Sequence, residues 1–234
     1  MESEGSRAVV RDSLGVVLAA GSFGVAFGAA SVAAGLSTLQ TMLLSLLAFT
    51  GGTQFAVISV VSGGGTLAAA LGSGLLLGAR NTLYGMRLAP LLRPRGIRRL
   101  VVAQGTIDET TAMAVARRDP SLARLAFWCT FAGCFVCWNT ATAIGALGAR
   151  ALGDPAKFGL DAVIPAAFLA LLAPRLRAGA VERRVAVGAG VIALGLIPFT
   201  PAGIPVLAAC AALLLAGRSP RRQVNVDEVA REHA

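Results

Sequence analysis

The stretch Leu-Ala-Phe-Thr-Gly-Gly-Thr-Gln-Phe-Ala-Val, residues 47–57, decides how this chain is read. It lies in an apolar run, 39–61, about as long as a bilayer is thick. Glycine costs about 1 kcal/mol per residue in a helix relative to alanine, so Gly51-Gly52 between two threonines predicts a break. A helix that restarts there presents free N–H groups carrying partial positive charge, which attract an anion. Discontinuous transporter helices hold substrate carboxylates at such ends. The competing reading is that the glycines only let a neighbouring helix approach closely. Thr50, Thr53 and Gln54 add donors that packing alone does not require, which favours a site.

The rest of the chain sets that run in context. Of 234 residues 56% are hydrophobic and 14% charged, against close to a quarter charged in a soluble domain. Mean hydropathy is +0.72. Runs 14–36, 39–61, 66–90 and 122–147 reach the roughly 20 residues a spanning helix needs; 100–116, 160–174, 185–199 and 203–216 are shorter. The predicted fold is all-α, a polytopic integral membrane bundle. It has about 7 spanning helices, one short polar re-entrant or cavity-lining helix, and discontinuous helices. The alternating strands of a β-barrel are absent from the sequence. A single permease domain is expected over 1–217 and a polar tail over 218–234. The mixed-charge start, MESEGSRAVVRDS, predicts no cleavable signal peptide.

A net charge of +9 raises nucleic acid as a partner, but the arginines sit in short loops between apolar runs, where the positive-inside rule puts them. No nucleic-acid partner is expected. Cys134 and Cys137 have the spacing of a metal or redox pair, yet the sole histidine is His233 in the tail. Cys129, Cys134, Cys137 and Cys210 are read as small apolar packing residues, with no metal and no cofactor.

Loop charge gives an orientation. A cytoplasmic basic tail, followed backwards, keeps basic loops inside through the whole second half. The sequence MRLAPLLRPRGIRRL, holding Arg87, Arg93, Arg95, Arg98 and Arg99, breaks the pattern if 100–116 crosses. That run is therefore predicted to dip in and return, or to line a cavity, where polar backbone is tolerated. The N-terminus then lies outside, and halves 12–116 and 120–217 form an inverted repeat, as in many transporters. A weak echo between residues 35–37 and 159–161 supports it. A rival topology makes 39–61 re-entrant and puts the N-terminus inside.

Three further stretches carry candidate chemistry. Arg80, Tyr84 and Arg87 share a helix face, and Asn81 adjoins Arg80. Charge deep in the membrane usually faces the bundle interior and marks function, whereas Arg87 fits snorkelling to headgroups. In QGTIDETTA, Gln104, Asp108 and Thr111 fall on one helical face, and Asp108 and Glu109 are candidate proton carriers. The alternative is a structural pair of Asp108 with Arg80. Trp138 and Asn139 lie mid-run, away from the interface, and suggest a cavity wall or a helix contact. Pro165, Pro198, Pro201 and Pro205 are expected to mark breaks in the second half. Gly24-x3-Gly28 and Gly74-x3-Gly78 are expected to let helices pack closely.

The segments FGVAFG…AAGLS, FTGGTQFA, ARNTLYGMRLAP, IDETTA and FGLDAVIPAAFLALLAPR, in this order over about 21–175, resemble the AzlC family. These are large permease subunits of two-component branched-chain amino acid exporters. The resemblance implies a multi-pass protein of the bacterial inner membrane with a small, separately encoded AzlD-type partner. Gly51, Gly52, Gln54, Arg80, Asn81, Tyr84, Asp108 and Glu109 match its motif positions. The physical reading proposes that a zwitterion's carboxylate meets the N–H groups near Gly51-Gly52, helped by Gln54 or Arg80. The ammonium would meet carbonyls or Asp108, and the aliphatic group Phe49, Phe55 or Trp138. An intramembrane protease lacks its histidine, and a di-aspartyl site would need Asp161 beside Asp108, so no enzyme is expected. A passive channel or a non-transporting assembly subunit is the other alternative.

Overall fold

In the computed structural model, which describes residues 2–151, 163–200 and 203–216, the chain leaves helical geometry just before the glycine pair. Helix α2 (Thr38–Leu47) ends, the four residues 48–51 turn, and α3 (Gly52–Ser62) starts afresh. Gly51 has φ 61° and ψ −87°, a backbone state that an L side chain resists. At 1.5 Å per residue, α2 and α3 are each roughly half the ~30 Å thickness of a bilayer core.

The frame is a pair of long helices, α1 (Glu2–Ala33) and α8 (Pro120–Ala151). Asp119 caps α8, its Oδ1 accepting from the N–H groups of Ser121 and Leu122 at 2.7 and 3.1 Å. The two helices run parallel and in register. Ser13 meets Thr130 at 3.1 Å, Val17 packs on Gly133, and Gly24 faces Trp138 and Ala141. A Cβ at Gly24 would lie 2.7 Å from the Trp138 carbonyl oxygen, and one at Gly28 would collide with Thr142 O. Small residues thus let the backbones touch, as expected for Gly24-x3-Gly28. Gly28→Ala should destabilise the protein by about 1–3 kcal/mol, the usual result of overpacking; a thermal melt in detergent measures it.

Between the long helices the chain makes two hairpins. α2 runs back along α8, with Thr38 near Arg150 and Ser45 near Thr142, down to Phe49 beside Phe135. α3 then climbs again, carrying Phe55 onto Phe27 and Trp138. Next, α4 (Leu67–Gly78) and α5 (Arg80–Leu92), separated by Ala79, follow α3 in the opposite direction and continue past its start. Gly74 admits Val57 and Thr53; further along, Leu91 O accepts from Arg124 Nε at 3.0 Å. α6 (Arg98–Gln104) and α7 (Asp108–Val115) form the second hairpin, from the other end. Its tip, Gly105–Ile107, reaches Phe131 and the core around Cys134, and its far end returns to Asp12 through Arg117 at 2.6 Å. The two tips touch, Gln104 Nε2 donating to Leu46 O at 2.7 Å.

One device builds both tips. The Gln54 side chain accepts from Gly51 N at 3.2 Å and donates to Leu44 O at 3.1 Å. Thr110 Oγ1 accepts from Ile107 N at 3.1 Å and donates to Gly105 O at 2.6 Å. Each is the third residue of its helix, reaching back to satisfy backbone that the break would strand.

Several expectations change. Among the described residues only α1 and α8 are single helices long and apolar enough to cross a membrane, so seven continuous spans are not found. The leading helices of the two halves run parallel, whereas an inverted repeat over 12–116 and 120–217 with an outside N-terminus requires them opposed. The opposed units are α1 with hairpin α2–α3, and α4–α5 with hairpin α6–α7. Gln104, Asp108 and Thr111 share no helical face, because the helix breaks between Gln104 and Asp108. The prolines mark helix ends rather than mid-helix breaks. Pro165 lies in the first turn of α9 (Val163–Ala178), Pro198 follows α10 (Ala180–Leu196), and Pro205 opens α11 (Ile204–Ala209). Pro201, Asp161, the 159–161 echo and the tail lie outside the described residues.

Candidate functional site

The hairpin tips and the α4–α5 junction enclose a cavity of about 190 Å³ at mid-length of the α1–α8 pair. That is well above the ~10–15 Å³ one water needs. Thr50, Gly51 and Gly52 line it from the first tip, Asp108 and Glu109 from the second, and Arg80 from α5. Ala20, Phe23, Phe55 and Trp138 form the apolar wall. A side recess of about 20 Å³ runs from Glu109 towards Cys134 and Phe49.

Its charges are arranged, not scattered. Arg80 Nη1 lies 2.9 Å from Asp108 Oδ2, and a Cβ at Gly52 would sit 3.5 Å from Arg80 Nη2. The guanidinium therefore bridges the carboxylate and the start of α3. There the N–H groups of Gly52 and Thr53 have no acceptor within their own helix. Glu109, the next residue along α7, has no cation within ion-pair distance among the described residues. Arg80 Nε, Asp108 Oδ1 and Trp138 Nε1 are buried with no hydrogen-bond partner. Buried polar atoms normally have partners, so three orphans around one cavity mark a place for a polar solute or water.

The twelve residues expected at one site divide among three places. Gly51, Gly52, Arg80, Asp108, Glu109 and Trp138 meet at the cavity. Thr53 and Asn81 instead line a second groove of about 450 Å³ between α2–α3 and α4–α5, and Thr50 lines both spaces. Gln54, Tyr84 and Asn139 line neither. Gln54 is fully buried and committed to the hairpin backbone, which corrects its reading as a donor to solute. Asn139 Nδ2 donates to Phe135 O at 2.7 Å on its own helix. Tyr84 lies one turn beyond Arg80 on α5. The sequence reading missed Ala20 and Phe23: they are apolar residues in a small-residue helix, and only the α1–α8 contact turns them inward.

Cys134 and Cys137 follow the packing reading, whereas Cys210 is exposed. Cys134 is buried among Val17, Phe27 and Trp138, and Cys137 packs on Gly21. Among the described residues no cluster of potential metal ligands occurs.

With this geometry in hand, comparison with known proteins gives a consistent picture. A sequence model described as AzlC protein matches residues 15–152, the stretch that runs from within α1 through α8 and holds both hairpins. An uncharacterized membrane protein of Archaeoglobus fulgidus is 33% identical over 195 residues, covering 82% of this chain and 84% of that protein. The inner membrane protein YgaZ of Escherichia coli K12 is 29% identical over 174 residues, 69% of each chain. No solved structure matches.

Proposed function

Because the chain belongs to the AzlC protein family of membrane proteins, we propose that the cavity between its hairpin tips is the solute site of a secondary transporter. The proposed substrates are branched-chain or related apolar amino acids, exported across the bacterial inner membrane. The observation that carries this reading is charge complementarity on a short length scale. The start of α3 and Arg80 offer donors to a carboxylate, Asp108 and Glu109 offer acceptors to an ammonium, and Phe23, Phe55 and Trp138 offer an apolar wall. That is the outline of a small zwitterion with a hydrocarbon side chain. Each hairpin seals the cavity from one end, so moving one tip at a time gives alternating access.

Both hairpins are too short to cross and are read as re-entrant from opposite faces. This adopts the topology with 39–61 re-entrant and the N-terminus inside. The basic loops 93–99 and 117–118 then share the cytoplasmic end with the start of α1, in keeping with the positive-inside rule. A small AzlD-type membrane subunit is the proposed partner.

Export is proposed to be proton-coupled. Of the two candidate carriers, Asp108 is paired with Arg80, which leaves Glu109 as the carboxylate free to exchange a proton with the cavity. Export of leucine, isoleucine, valine and methionine from loaded cells, with and without the small partner, tests the assignment. Saturable export of at least one is expected, and its absence with both subunits present sinks the reading. Glu109→Gln should remove the dependence of export on a pH gradient; full dependence in that variant rejects Glu109 as the carrier.

A further inference from the structure

Away from the cavity, one end of the fold carries arginines that have no counter-ion among the described residues. Among the described residues the ion pairs are Arg11–Asp12, Arg80–Asp108 and Arg117–Asp12. Arg93 and Arg99 are among those left with no carboxylate in reach, and both are held still by backbone. Arg93 Nε donates to Pro90 O at 3.2 Å, and Arg99 Nε to Pro94 O at 3.3 Å. They flank a groove of about 460 Å³ between α5 and α6, with Gly85, Ala89, Val102 and Ala103 along it. Ala89 and Ala103 are exposed, and Ile97 and Leu100 beside them are 74% and 68% exposed, so this surface faces lipid.

Arg93 is also strained. It has φ 45° and ψ 51°, and among the described residues it is the non-glycine with positive φ. A left-handed backbone crowds an L side chain's Cβ, and glycine would relieve it. Strain kept at an exposed arginine is a pointer to function rather than to packing.

We propose that this groove binds one anionic glycerophospholipid. Its phosphate sits between the terminal nitrogens of Arg93 and Arg99, and one acyl chain lies along the smooth strip of Gly85, Ala89 and Ala103. Two pinned guanidiniums suit the fork geometry of a phosphate, and basic pockets between helices at the cytoplasmic end favour anionic headgroups. The long apolar strip beneath them selects a lipid over a free phosphate ion.

The test uses the purified full-length protein in detergent. Phosphatidylglycerol should raise the melting temperature by at least about 4 °C, phosphatidylcholine much less, and one lipid should survive in native mass spectra. Arg93→Asn with Arg99→Gln should lose that adduct, while Arg7→Gln with Arg118→Gln, an equal charge change elsewhere, should keep it. Equal shifts with phosphatidylcholine, or the same shift with inorganic phosphate alone, overturn the proposal; so does an adduct retained by the Arg93/Arg99 variant. The lipid comparison on the unaltered chain decides the matter even if a variant fails to fold.

Discussion

Arg80→Ala should abolish export and reduce the yield of folded protein, whereas Arg80→Ala combined with Asp108→Ala should recover the yield and leave export abolished. The two side chains lie 2.9 Å apart and are 30% and 37% exposed, and that exposure is to the cavity. Removing one partner of a fully buried pair costs about 3–5 kcal/mol because the other charge is stranded. With part of the pair open to the cavity, about half of that is expected here. Removing both charges abolishes the penalty but also the group that bridges Asp108 to the start of α3. Stability therefore follows the pair, and export follows the arginine. Arg80→Lys separates charge from shape: an ammonium keeps the pairing with Asp108 but loses the planar fork, so export should stay well below wild type with stability near normal. Melts of wild type, Arg80→Ala, Asp108→Ala and the double variant, closed as a double-mutant cycle, measure the first quantity, and initial export rates measure the second. Wild-type export by Arg80→Ala removes the arginine from the site.

The sequence made the breaks visible but not the directions. Gly51-Gly52 reads as a break because two glycines in a row oppose a helix and threonine follows on each side. The second break was legible from its flanks: five arginines and a short polar run leave no comfortable crossing for 100–116. What loop charge could not resolve is whether 39–61 crosses or folds back. A run of that length is long enough to span either way, and one wrong crossing inverts everything upstream. The parallel register of Ser13 on Thr130 and Gly24 on Trp138, together with the two hairpins, is what favours folding back. The shorter internal repeat was hidden for a chemical reason. Gln54 and Thr110 do the same work at the two tips with different side chains, so no letter match survives. Gln54 itself was misread because a polar side chain at membrane depth suggests a ligand. The stranded backbone of a re-entrant tip makes the same demand, and it lies closer.

That reassignment makes Gln54 the most consequential structural residue of the candidate site, although it touches no part of the cavity. Gln54→Leu keeps volume and apolarity but leaves Gly51 N–H unpaired and cuts the tie to Leu44 C=O, which keeps only the Ala48 N–H at 3.0 Å. The stranded N–H costs about 1–3 kcal/mol, and the lost tie between α2 and α3 belongs to the same tip, so the hairpin as a unit is expected to loosen. Gly51→Ala attacks the same tip through conformation. At φ 61° and ψ −87° a Cβ is strained, while the nearest atom it would meet, on Trp138, is 3.8 Å away, so the effect is backbone strain and not collision. A strain of this kind costs of order 1–3 kcal/mol. The two variants should therefore converge on one phenotype: faster proteolysis or hydrogen exchange confined to residues around 44–55, a lowered melting temperature, and loss of export. Thr50→Val, which removes a cavity-wall hydroxyl and its 3.3 Å hydrogen bond to Ala48 O but neither hydrogen bond of Gln54, should alter export and change the exchange pattern far less than Gln54→Leu. If Gln54→Leu exchanges like wild type and melts at the same temperature, its hydrogen bonds do not hold the tip, and the re-entrant reading of 39–61 loses its structural basis.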